Sequence, residues 1–224
     1  MSKKKKIALI YEGVKSEKEL LENVNRNFFC NTADISIFSL PADGNIYMLW
    51  ERLVEDEFET DVISVLKEMN PNLKKDLADI KASDLSEIYL FFDFDIHNNN
   101  LKKCHRNRDV LKKMFEVFDN ETELGKLYIS YPMIESIKDI SYVDRAYRTF
   151  YIEVEDSREY KSIVGGKSDY SNFKNITRDM WLAACDASRK RASLINLYRE
   201  ECSYEDFLEQ LGQDSIYKTK EICS

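Results

Sequence analysis

Short apolar runs alternate with amphipathic stretches along the chain, and the two periodicities lay out an ordered series of strands and helices. Residues 5–11 (KKIALIY) form a β-branched, aromatic-ended run that predicts a buried strand, closed by Glu12 and Gly13. Residues 17–29 then carry Leu20, Leu21, Val24 and Phe28 on one helical face. Ser16 followed by Glu19 predicts a capping box at the start of that helix. Residues 35–40 read as a second strand, closed by Pro41. Residues 45–69 predict one or two amphipathic helices, ended by Asn70-Pro71. Residues 87–92 (EIYLFF) are the strongest strand and run directly into Asp93-Phe94-Asp95. A polar loop at 98–100, a helix at 108–118 and a strand at 126–130 (KLYIS) follow, and Tyr131-Pro132 opens the next turn or helix.

This order predicts an α/β fold with a mostly parallel sheet flanked by helices. Such sheets bind ligands at the carboxyl ends of their strands, where Glu12, Asp93 and Asp95 all fall. After about residue 150 the pattern changes. Gly165-Gly166 punctuates the chain, residues 176–198 predict a long helix, and residues 204–211 predict another. The expected organisation is therefore an α/β domain over 1–150 and a mainly helical appendage over 151–224.

Hydrophobic residues make up 43% and charged residues 33% of the 224 positions, an ordinary composition for a water-soluble globular chain. No apolar run approaches the roughly 20 residues of a membrane span. The run after the N-terminal lysines is shorter than the roughly 7–15 residues of a signal peptide core. Both observations predict a cytoplasmic protein with no membrane partner. The five cysteines, Cys30, Cys104, Cys185, Cys202 and Cys223, are scattered and unpaired in sequence, which predicts reduced thiols and no zinc site. The net charge of −8 argues against a passive nucleic-acid coat, but not against an enzyme that holds metal with carboxylates and grips phosphate with local basic patches.

The chemistry is carried by acids. Two carboxylates two residues apart on an extended chain, Asp93 and Asp95, project to one side and repel each other. A hard divalent cation, Mg2+ or Mn2+, relieves that repulsion and takes oxygen ligands. Glu12 stands at another strand end. Glu17 sits in the first turn of the following helix, within reach of the same edge, although an acid there is also favoured by the helix dipole.

A Glu-Gly after the first strand (IALIYEGVKSEKEL) and a D-x-D after a later strand (IYLFFDFDIH) resemble the hallmark of the TOPRIM family, over roughly residues 5–140. The resemblance implies a TOPRIM-like sheet in which Asp93 and Asp95 hold the metal and Glu12 is a metal ligand or general acid/base. The segment KLYISYPMIESIK is similar to TOPRIM proteins of bacterial anti-phage systems that work beside an ABC-type ATPase. That likeness implies a defence role, an ABC-type ATPase partner and a further catalytic or ligand role for Glu135. Its structural alternative is an acid favoured by a helix N-terminus.

No zinc ribbon, no phosphate-binding G-x-x-x-x-G-K-[ST] loop and no distinguishable topoisomerase tyrosine are present. Of the activities that the TOPRIM resemblance implies, metal-dependent phosphodiester hydrolysis of DNA or RNA, tRNA included, remains the expectation. Lys102, Lys103, Arg106 and Arg108, with His105, Lys112 and Lys113 nearby, are the candidate nucleic-acid grip, and Arg189, Lys190 and Arg191 form a second basic cluster. His97 and Lys138 are open candidates for a part in the site. A homodimer is a further expectation, because Trp50, Tyr147, Phe150, Tyr151 and Trp181 exceed the needs of one core. Two other readings stay open. One is a catalytically silent TOPRIM-like subunit of an ATPase complex. The other is a haloacid-dehalogenase-type phosphatase, whose D-x-D-x-[TV] continuation is missing and which leaves Glu12-Gly13 without a role.

Overall fold

The computed structural model describes residues 4–13, 15–40, 44–71, 77, 80–93, 110–130, 133–140, 160–163 and 168–197. The chain divides into two compact units, Met1–Ile134 and Glu135–Ser224.

In the first unit, β1 (Lys5–Tyr11) leads into α1 (Ser16–Val24) and then β2 (Ala33–Ser39). Helices α2 (Ile46–Glu55) and α3 (Val62–Met69) precede β3 (Glu87–Asp93). After α4 (Val110–Val117), the two-residue β4 (Asp119–Asn120) turns back onto β5 (Gly125–Ser130). The sheet order is β2-β1-β3-β5-β4. All neighbours are parallel except the β4–β5 pair. The predicted mostly parallel α/β sheet is therefore present, because helical crossovers return each strand in the same direction. The short β4 was not expected. Its tight turn is held by Asn120 Oδ1, which accepts from the Thr122 and Glu123 amides, both at 3.1 Å.

β1 and β3 lie at the centre, and their registers fix two faces. On one face Ile7, Leu9 and Tyr11 meet Ile35 and Ile37 of β2 and Tyr89 and Phe91 of β3. Leu20 and Leu21 of α1 pack onto this face. The opposite rows, Ala8, Ile10, Ile88, Leu90, Phe92 and Leu127, are buried, and Leu49, Leu53, Leu66 and Met114 of the helices join the core. Burying such side chains is worth roughly 1.5–3 kcal/mol each, which makes this face the main source of the unit's stability.

Three local expectations are corrected. Helix α1 has Lys15 at its N-cap with no side-chain cap bond. Ser16 is already helical because the Lys15 carbonyl accepts from the Glu19 amide at 3.0 Å, so the predicted Ser16–Glu19 capping box does not define the start. The regular helix also ends at Val24 and continues as a wider π-helical turn, Asn25–Phe29, which rotates Phe29 into solvent. Trp50, counted among surplus aromatics, belongs to the core. It is 7% exposed and meets Phe58 and Phe118 edge-on at 5.5 and 5.9 Å. Real caps occur instead at Asn45 and Asp61, which accept from the Met48 and Ser64 amides.

In the second unit the described helices are α5 (Tyr160–Ile163) and α6 (Arg178–Leu197), with 3-10 turns at Ile134–Asp139, which begins one residue before the unit, and Phe173–Asn175. Tyr170 donates to the Met180 carbonyl at 2.9 Å, and Tyr160 donates to Asp139. Among the described residues no helix is long and apolar enough to cross a membrane. Cys30 and Cys185 are free thiols.

Candidate metal centre at the strand ends

The parallel registers place the predicted acids. Tyr11 pairs with Phe91 and with Ser39, and Asp93 pairs with Ser130. Ser39, Tyr11, Phe91 and Tyr128 form one row across the sheet, Glu12 follows one residue past it, and Asp93 and Ser130 lie two residues past it. Glu12 leaves β1 with its amide donating to the Phe91 carbonyl at 3.3 Å, while the Leu40 amide donates to the Tyr11 carbonyl at 3.0 Å. Glu12 and Asp93 therefore end the two central, adjacent strands. Each is half-buried, and one Glu12 carboxylate oxygen is withdrawn from solvent. The Asp93 carboxylate is oriented by the Ile134 amide, which donates to Oδ1 at 2.9 Å.

The turn after β1 needs glycine. Gly13 has a φ of +92°, and a Cβ built there would come within 2.5 Å of Glu17 Oε2. The α1 start thus folds the Glu17 carboxylate back over the Gly13 backbone. Tyr11 lies close by. Burial raises its hydroxyl pKa above the usual value, with the Glu17 and Glu22 charges adding to the rise against a lowering hydrogen bond with Ser39. Glu17, expected from its place in the first helical turn to lie within reach of this edge, packs against Gly13.

Comparison with protein-family models, curated proteins and solved structures found no match. The site must be read from its own chemistry.

Carboxylates on neighbouring strand ends suit a hard divalent cation such as Mg2+ or Mn2+. Among the described residues no three His, Cys, Asp or Glu side chains form a metal-holding group. The expected third donor, Asp95, lies outside the described residues, as do His97, Lys102, Lys103, His105, Arg106 and Arg108. Glu135 is 1% exposed and is the first residue of the second unit. Lys138 has its Nζ 5.3 Å from the Phe173 ring centroid, a cation–π contact within the second unit. In the late basic cluster, Lys190 and Arg189 both pair with Asp186, at 2.7 and 2.8 Å. These contacts hold the Asp186 carboxyl below the usual carboxylate range. Two of that cluster's cations are thus engaged within their own helix, which weakens its reading as a phosphate grip.

Proposed function

We propose that this chain is a TOPRIM-like, divalent-metal-dependent nuclease that hydrolyses phosphodiester bonds in DNA or RNA. The observation that carries the reading is the placement of Glu12-Gly13 and Asp93 at the carboxyl ends of adjacent central strands. Parallel α/β sheets build ligand sites at such strand ends. Asp93 and Asp95 are the proposed ligands, with Glu12 as a ligand or proton-transferring group.

Mg2+ or Mn2+ bound there would polarise the scissile phosphate and activate water. The chain's own contribution is positional. The Ile134 amide orients Asp93, the bond from the Glu12 amide to Phe91 holds the β1 end beside β3, and Gly13 leaves room for the Glu17 carboxylate. Lys102, Lys103, Arg106 and Arg108 are the proposed phosphate grip. From the S-Y-P-M-x-E resemblance we extend the proposal to a cytoplasmic effector of prokaryotic anti-phage defence, acting with an ABC-type ATPase and as a homodimer, with Glu135 in a supporting role.

The test is incubation of purified protein with plasmid, single-stranded DNA and total RNA, in Mg2+, Mn2+ or EDTA, beside Asp93→Ala. Metal-dependent cleavage that disappears in the variant supports the proposal and names the substrate class. No cleavage in any lane, with the ATPase partner added as well, leaves the silent interaction subunit as the better reading.

A further inference from the structure

Asp93 Oδ1 accepts from the Ile134 amide, 41 residues further along the chain, at 2.9 Å. Ile134 opens a six-residue 3-10 turn, Ile134–Asp139, which carries the chain from the first unit into the second. The first N–H groups of a helical turn have no partner inside it, and a side-chain oxygen on the residue just before commonly supplies one. Met133 stands there and has no side-chain oxygen. The acceptor comes instead from the end of β3, and it is the carboxylate proposed to hold the metal.

The turn has a physical need for such support. 3-10 runs longer than about three or four residues are uncommon, because their hydrogen bonds are poorly aligned. This one is six residues long and is tied at both ends by bonds to residues distant in sequence. At its start the partner is Asp93. At its end Asp139 accepts from the hydroxyl of the buried Tyr160. Between them Glu135 is buried and Lys138 lies over the Phe173 ring.

We propose that the Ile134 amide is a positioning group that couples cation binding at Asp93 to the order of the Ile134–Asp139 turn. The inference rests on the reading of Asp93 as a metal ligand and adds a means of regulation to that site. One carboxylate can serve both partners, since its two oxygens offer about four lone-pair sites. A donor behind a metal ligand fixes the ligand's orientation and raises the affinity of the site. Such coupling is reciprocal. Whatever factor the amide bond adds to cation affinity, the bound cation adds to the stability of the amide bond. A filled site therefore holds the turn closed, and any event that opens the turn lowers cation affinity by the same factor.

Two measurements on the full chain test this, with Mg2+ and Mn2+ as the probes. Calorimetry reads cation affinity, and hydrogen exchange of the Ile134 amide is followed in peptides spanning 133–140 with and without cation. In wild type, cation should slow that exchange by about tenfold, and in Asp93→Asn it should leave the exchange unchanged. Ile134→Pro deletes the donor at a first-turn position that tolerates proline, and should weaken cation binding by about tenfold. The proposal is overturned if wild type binds cation with no change at Ile134, if Asp93→Asn shows the same protection, or if Ile134→Pro binds as tightly as wild type. Binding without protection removes the coupling alone and leaves the metal reading. No cation binding by wild type removes both.

Discussion

The Glu17 carboxylate occupies the space that a side chain at Gly13 would need, with Glu17 Oε2 within 2.5 Å of a Cβ built there. Two constraints meet at Gly13: this close approach and its φ of +92°. Gly13→Ala is expected to cost about 1–3 kcal/mol, mostly from the backbone conformation, because the end of a flexible glutamate can move aside. Thermal unfolding of Gly13→Ala, Glu17→Ala and the double variant separates the two. If the close contact were the main cost, the double variant would recover most of the loss.

Asp93 combines a structural and a proposed chemical role that one substitution can split. Asp93→Asn keeps an oxygen that can accept from the Ile134 amide but removes the charge. It should melt close to wild type while metal-dependent cleavage falls by about 100-fold or more. A fall in melting temperature matching that of Asp93→Ala would show that the carboxylate serves the fold alone.

The aromatic contact under the helices sets a stability prediction. Phe118 is 1% exposed and sits edge-on to Trp50 at 5.9 Å. Phe118→Ala should destabilise the chain by about 3–5 kcal/mol in a denaturant titration. Tyr128→Ala on the open face should cost far less.

The Lys5–Glu87–Tyr89 group predicts two pH signatures. Burial, then the Glu87 hydrogen bond and charge, push the Tyr89 hydroxyl up to about 12. Because this folded value is raised, its stabilising contribution is complete below the ordinary 10.0 and is lost as pH climbs toward 12. Tyr89→Phe should remove one late-titrating tyrosine from the tyrosinate absorbance profile. The Lys5 hydrogen bond chiefly lowers Glu87, so its contribution is present above the ordinary 4.5 and fades as pH falls through the lower folded value. The exposed lysine keeps this effect small. Glu87→Gln should flatten the acid limb of the melting-temperature profile slightly.

Much of this architecture was legible because it is local. The runs KKIALIY and EIYLFF are apolar enough to be strands in any parallel sheet, and each ends on an acid. Strand direction followed from the helices between them. The capping box at Ser16 misled because a serine three residues before a glutamate fits more than one helix start, and a backbone bond from Glu19 to Lys15 chose another. Trp50 misled because composition counts aromatics without saying which of them meet.

The sequence by itself determined the order of the main strands and helices, the mostly parallel α/β class and the placing of Glu12 and Asp93 at strand ends, since each depends on residues close together in the chain. Only the tertiary structure decided that Tyr11 stands opposite Phe91, so that Glu12 and Asp93 end adjacent strands. It alone left Tyr128 open beside Phe91. These are matters of register and side-chain packing between distant segments, and a periodicity of apolar residues carries no information about which strand a strand will meet.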